Sequence, residues 1–373
     1  YTPTDTDYSP LSTGNLPAID VHGCDVFNVI TYTGDGTAVG SGGQSITGAG
    51  FQPDGVWIKD RDQGYEHQLV DVVRGATKHI QPNYPDGEAT ETEGVASLDS
   101  DGFTVGSLAS VNTNTGSFVS WLFRAGGSPI TNNDGTIQSQ VSVAPEGHFG
   151  IMTWTGTGNT SDTIGHGFSE RPDLMLFMSR EGPPAYPVVA PDVLGDGGGT
   201  DYLYFDQNLA EGGDGAFGGG VPSLGASTVT QPYISDYFGG AYDFLGLLFR
   251  SVPGICKVGK YTGNGSGTYG PYVHLGFLPR WLLVKGMSAG GNWQIRDTER
   301  ESYNPFDYVL SGDAATVESS TEDIDFLSLG FRPMANSTQI NTNGYEYLFI
   351  ALADIAPGEG LPPLSGVFEV RPN

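Results

Sequence analysis

Cysteine, basic side chains and long apolar runs are all scarce in this sequence. The 373 residues include two cysteines, Cys24 and Cys256, which are far apart. Neither a disulfide framework nor a CxxC metal or redox motif is available, so stability has to come from packing, and both thiols are expected to be buried. Only 16 Lys and Arg stand against 43 Asp and Glu, a net charge of -27. Such a surface repels phosphate backbones and anionic lipid heads, and no basic run offers a local exception, so neither nucleic acid nor a membrane is expected as a partner. No apolar stretch approaches the roughly 18 to 20 residues of a membrane span; the nearest is Phe244–Phe249. No window of a dozen residues carries a capped helical period; the best, Val317–Leu329, predicts at most one short turn. The opening YTPTDTDYSP lacks an initiator Met, a basic region and an apolar region, which predicts that the chain starts partway along a longer product.

Glycine, by contrast, is abundant, with 57 residues, and aromatics reach 11%. Glycine supplies the positive φ of tight turns, and the apolar content is enough for a core, so turn-rich β structure is predicted. Self-similarity organises it. One segment opens with Phe27–Gly36, continues through Gly50–Lys59 and closes with Asp101–Gly106 and Val111–Arg124. A second runs through Phe149–Gly158, Gly167–Arg180 and Tyr242–Arg250, and a third through Cys256–Gly265, Gly276–Lys285, Leu329–Met334 and Ile340–Leu352. Each unit reads as aromatic-Thr-Gly-x-Gly, then Gly-Phe and Pro before an apolar run, then a Gly-Phe turn where present, then a closing apolar strand. The period of roughly one hundred residues is domain-sized.

The Thr-Gly-x-Gly elements at Tyr32–Gly36 and Tyr261–Gly265 have the composition of tight hairpin turns. The runs behind Pro53 and Pro279 are near-continuously apolar and fit centrally buried strands. The expected fold is therefore all-β, with three tandem antiparallel β-sandwich modules of jelly-roll or concanavalin-like type. The expected boundaries are an N-terminal linker over 1–26, modules at 27–126, 148–252 and 253–356, a linker at 127–147 and a tail at 357–373. The short Ser251–Ile255 junction predicts packing between the second and third modules, and the Gly/Asp-rich 195–225 insertion marks the middle one as different.

These motifs carry a resemblance. The pattern of Tyr261–Gly265, Gly276–Lys285, Asp71–Gly75 with Asp297–Arg300, and Val111–Phe118 resembles the β-sandwich repeats of large virion proteins of marine tailed bacteriophages. The segment Tyr8–Asp20 is similar to one that follows an upstream SPRY-like or concanavalin-like domain in such proteins. The resemblance spans about Tyr8 to Pro357; the middle repeat lacks the Asp-x-Arg-Gly element and a clear Val-Asn motif. It implies a structural or adhesive role on the particle surface, outside the cell, as tail fibre, head fibre or capsid decoration. It also implies other virion proteins as partners, a homo-oligomer and contact with host-surface glycans, and it transfers no catalytic residues.

The chemistry points the same way. The six histidines form no HExxH motif, and no nucleophile elbow is present, so no enzyme activity is expected. Among 43 acids, carboxylate pairs suited to glycoside hydrolysis are available in number, and a fibre-borne polysaccharide depolymerase is the alternative; a bacterial cell-surface lectin or adhesin is another. Asp71 with Arg74, and Asp297 with Arg300, recur after apolar strands and are expected to pin loops through carboxylate–guanidinium pairs. Trp57 and Trp281 are expected to share one repeat position in the core. No cofactor is expected; Asp99, Asp101, Asp196 and Asp201 are the candidates for a weak Ca²⁺ site, although neither cluster follows a twelve-residue calcium loop.

Overall fold

The computed structural model describes residues 23–159, 161–181, 186–195, 201–212, 222–230 and 242–354. Tyr8–Asp20, Asp196, parts of the 195–225 insertion and the 357–373 tail lie outside them. The chain is all-β, with antiparallel strand pairing and short helical turns at Gly23–Val26, Val39–Ser41 and Ala109–Asn112.

Three main sheets carry the same order of five strands. The opening strand of each (Phe27–Thr33, Phe149–Thr155, Cys256–Thr262) pairs with the closing strand (Ser117–Phe123, Asp243–Phe249, Glu346–Ala353). The closing strand then pairs with the middle strand (Gly55–Asp60, Leu174–Ser179, Pro279–Gly286). Beyond it lie a fourth strand (Gln68–Asp71, Pro187–Val189, Gln294–Asp297) and a fifth (Gly75–Ile80, Leu203–Tyr204, Phe306–Ser311).

Side chains alternate across a strand, and here both alternating sets are buried, which is why these runs read as continuously apolar. On one face, Val56, Ile58, Phe118 and Leu122 of the first sheet pack under a small outer sheet formed by Gln44–Thr47, Gly102–Val105 and Val95–Asp99. The second and third sheets bury their corresponding faces in cores of their own. The other faces meet. Trp57, Trp121 and Phe123 of the first sheet, Phe149, Leu176 and Phe249 of the second, and Trp281, Leu283 and Ile350 of the third belong to one continuous core. A carbon-walled cavity of about 30 Å³ remains within it, and an apolar void of this kind stays dry.

Three expectations about local structure need correction. The stretch 127–147, expected to be a linker, contains Ile130–Asn132 and Ser139–Val143, which extend the second sheet beyond its opening strand. The Ser319–Leu327 stretch is a strand and not a helical turn, paired with Gly330–Pro333. Its alternation of Ile324 and Phe326, both buried, with partly exposed Asp323, Asp325 and Leu327 has the period of two that a half-buried strand requires.

The Thr-Gly-x-Gly elements are likewise not hairpin turns. The strand that follows the first one joins the outer sheet, so the element carries the chain from one layer to the other. It is held by the Val-Asn or Ile-Asn motif far along the chain. Tyr32 Oη donates to Val111 O at 2.7 Å, and Asp35 N to Asn112 Oδ1 at 2.8 Å. In the third sheet Tyr261 Oη donates to Ile340 O at 2.7 Å, and Asn264 N to Asn341 Oδ1 at 2.9 Å. Two separately recognisable motifs are thus halves of one hydrogen-bonded unit. The glycine of the Gly-Phe turn has a steric cause: a Cβ on Gly102 would lie 1.9 Å from Ile46 O, and one on Gly330 would lie 2.0 Å from Val273 O.

Candidate functional site

The polar chemistry of the interior concentrates where one main sheet meets the next. Three backbone bonds define these seams. Glu88 N of the first unit donates to Arg180 O of the second at 2.8 Å, Glu211 N of the second to Met287 O of the third at 2.9 Å, and Glu318 N of the third to Arg61 O of the first at 2.9 Å. In the strand register Arg61, Arg180 and Met287 are aligned positions. The three sheets therefore contact one another head to tail and close into a ring, a heterologous interface repeated until it closes.

Two seams carry the predicted ion pairs. Arg74 Nε sits 2.5 Å from Asp71 Oδ2, its Nη2 donates to Leu69 O at 3.1 Å, and its Nη1 lies 3.4 Å from Glu88 Oε2. Glu88 also receives Arg180 Nε at 2.8 Å. Arg300 repeats the pattern, with Nε 2.7 Å from Asp297 Oδ2, Nη2 to Ile295 O at 2.9 Å and Nη1 2.9 Å from Glu318 Oε1. Glu318 receives Arg61 Nη2 at 2.6 Å. Burial acts to raise the Glu88 carboxyl, but hydrogen bonds from Arg180 and the charge of Arg74 overcome it and hold it below its ordinary value. Asp297 Oδ2 also accepts from Trp121 Nε1 at 3.0 Å, which locks the third unit to the first.

The remaining seam solves the same problem with carbon. Ala190 and Val193 occupy the positions of Asp71 and Arg74, and both are buried in the shared core with Met287. Glu211 keeps its backbone bond there without a guanidinium, and burial raises its carboxyl despite a hydrogen bond from Gly195 N. Instead, Lys285 Nζ reaches Gln207 O at 3.3 Å and Trp293 Nε1 donates to Tyr204 O at 2.8 Å. Burial lowers Lys285, and its aligned counterpart Lys59, to about 8.

Trp293 is aligned with His67 of the first unit, whose ring does the same work. Trp57 Nε1 donates to His67 Nδ1 at 2.8 Å, so the proton resides on Nε2, which donates to Ala314 O at 3.2 Å across the seam. Burial, reinforced by the nearby Lys59, holds His67 down to about 3, and burial with Arg124 nearby holds His148 to about 3 as well. Unfolded histidines titrate near 6.5. Below that pH the unfolded chain binds more protons than the folded one, so this stability is present above 6.5 and lost as pH falls. Asp313, pushed up to about 6 by burial, has the opposite sense: its contribution is present below 3.8 and lost as pH rises through 6. Two histidines outweigh it. Lowering the pH from 7.5 to 5.5 is expected to cost about 1.4 kcal/mol per histidine and to depress the thermal midpoint. His67→Gln should remove a large share of that dependence, and a midpoint flat across this range would contradict the neutral buried rings.

The other predicted residues fall elsewhere. Trp57 and Trp281 are both core residues but do not share a repeat position. Gly55 pairs with Asp71 and Trp281 with Asp297, so Trp281 is aligned with Gly55, and Trp57 with Leu283. The indole is shifted by one full period of the side-chain alternation, two residues, so it stays on the same face; the space above Gly55 is taken by Ile151 and Phe123. Asp101 accepts from Gly50 N at 2.7 Å and Gly48 N at 3.2 Å, and Asp99 accepts from Thr104 Oγ1 at 2.7 Å, which makes both turn residues. Asp201 is half-buried beside Gly195 and near Glu211. Among the described residues, no three His, Cys, Asp or Glu gather as a metal site, and no helix is long and apolar enough to cross a membrane. Cys256 is buried as expected, whereas Cys24 is only partly so. An open groove of about 600 Å³ runs past Gln52, Asp54 and Arg124, where the Asp54 carboxylate is engaged by Ala125 N and Gly127 N.

The seam glutamates and Arg61 and Arg180 were not singled out in the sequence. The signal available was spacing: Glu211 and Glu318 both follow Ala190 and Asp297 by the same interval, although Glu88 follows Asp71 by a shorter one.

The profile of the family described as Domain of unknown function (DUF7483) matches residues 22–356. The chain belongs to that family. No curated protein and no solved structure matches it. The DUF7483 match runs through all three main sheets as a single unit, as a core shared among them requires.

Proposed function

We propose that this chain is a non-enzymatic structural protein of a bacteriophage virion, exposed on the particle surface as tail fibre, head fibre or capsid decoration, where it contacts neighbouring virion subunits and host-surface glycans. The observation that carries this reading is the closed ring of three sheets. Its buried Asp–Arg pairs meet the seam glutamates and hold sheet to sheet, and its shared core is lined by carbon. Such a body suits a rigid surface block better than a cleft for chemistry. The repeat motifs resemble virion repeats, and the net charge of -27 favours a particle exterior that resists aggregation. Because the seam surfaces are satisfied within one chain, association into a homo-oligomer uses the outer layers and their loops.

Purified particles, analysed by mass spectrometry and by labelling with an antibody against this chain, test the assignment. The expected result is the protein in stoichiometric amounts with label on the particle surface. Particles free of it would overturn the reading.

A further inference from the structure

Among the described residues, Arg332 is the one arginine whose side chain makes no hydrogen bond. Every other described arginine donates to a carboxylate or a carbonyl. Arg332 is instead held by rings. Its guanidinium carbon lies 3.8 Å from the centre of the Tyr269 ring and 6.0 Å from that of Tyr272. The strand register explains the arrangement: Val273 pairs with Phe331 and His274 with Gly330, which sets Tyr272 beside Arg332, while Gly270 N donates to Pro333 O at 2.9 Å and folds Tyr269 back over it. On the opposite side Asp325 faces Arg332 in the ladder without bonding to it, and Arg332 Nε is shielded from water with no partner.

The rings are open to solvent, with Tyr269 62% exposed and Tyr272 46%. His274 extends the platform, its ring 6.2 Å from that of Tyr272, and is itself exposed. Two solvent-facing tyrosines around an unbonded guanidinium are unusual on a chain with so few cations. A planar guanidinium stacked on a ring keeps its terminal Nη1 and Nη2 N–H groups free and oriented, the end that receives a carboxylate in a two-pronged fashion. An exposed tyrosine face accepts the C–H face of a pyranose.

We propose that Arg332, Tyr269 and Tyr272 form a subsite for an acidic sugar of a uronate-containing polysaccharide, the carboxylate on the guanidinium and the ring on the tyrosines. This deepens the host-glycan contact of the proposed function and rests on that reading. The remaining negative charge of the protein is screened beyond roughly 8 Å at physiological ionic strength, so recognition is a short-range event confined to this patch.

Calorimetric titration of the full chain with a hexamer of galacturonic acid, and with a neutral galactose hexamer, tests the subsite. Saturable binding of the acidic hexamer is expected, at least ten-fold tighter than the neutral one. Arg332→Ala and Tyr269→Ala should each weaken it ten-fold or more, whereas Tyr303→Ala, at an 84% exposed tyrosine outside the cluster, should leave it unchanged. Arg332→Lys keeps the charge and stem but not the fork and should bind at an intermediate level, which separates lost recognition from lost folding. Absence of saturable binding, equal affinity for both hexamers, or unchanged affinity in Arg332→Ala would each overturn the subsite. Particles that carry the protein while it fails to bind the acidic hexamer would remove the subsite alone; particles that lack the protein would remove the location alone.

Discussion

Asp297→Ala is expected to lower the stability of the entire chain by about 3 kcal/mol, the low end of the cost of breaking a buried ion pair, because Arg300 loses its closest carboxylate and keeps only Glu318. The Arg300 side chain is wholly buried, and Asp297 supplies both its closest carboxylate oxygen and the acceptor for Arg300 N at 2.9 Å. The same carboxylate receives Trp121 Nε1, so its removal also loosens the seam between the third and first sheets. The ring itself suggests the rescue. At the aligned seam the chain carries Ala190 and Val193, both buried in the shared core. Asp297→Ala/Arg300→Val copies that solution, removes the under-partnered guanidinium and leaves Arg61 paired with Glu318. It should recover at least half of the loss, the remainder being the unpaired indole N–H, at about 1–3 kcal/mol. Urea unfolding of the two variants beside the parent measures this. A double variant no more stable than the single one would show that the seam depends on the charge pair and not on its satisfaction.

Trp281→Ala is expected to cost a similar amount, about 3–5 kcal/mol, for a different reason. Its indole packs 5.9 Å from the Phe27 ring and 6.3 Å from the Phe123 ring, both belonging to the first sheet, and borders the central cavity. Trp281 Nε1 has no hydrogen-bond partner, so truncation strands no polar group and the loss is packing alone. Because the core is common to three sheets, the defect should be felt by all of them. Thermal unfolding followed by far-ultraviolet circular dichroism and by tryptophan fluorescence is expected to show one transition, displaced downward and coincident by both probes. A variant that loses part of its β signal early, with the rest unchanged, would mean that the third sheet unfolds alone and that the sharing of the core carries little energy.

These two expectations separate what was legible in the linear chain from what was not. The Asp and Arg pairs were legible because each is local: three residues apart, after an apolar strand, with the same contacts in both copies. Their purpose was not, since Glu88 and Glu318 meet Arg180 and Arg61 from distant segments, the second pair 257 residues apart. The tryptophans show the complementary failure. Trp57 and Trp281 look equivalent by their distance from a proline, but the ladder is what defines equivalence, and it aligns Trp281 with Gly55. The indole moves by one period of the alternation between repeats, so the side chains that match in sequence are not those that match in place.

Sequence alone determined the all-β class, the middle and closing strands, the repeating motifs and the local ion pairs. All of these follow from strand-length apolar runs, from turn chemistry and from contacts a few residues long. Only the tertiary structure decided that the three sheets close into one ring, that 127–147 is sheet and not linker, and which carboxylate answers which guanidinium. The physical reason is that a strand buried on both faces loses its alternation, so its composition records that something covers each side without recording what. The covering partner is chosen by closure of the ring, which no single segment encodes.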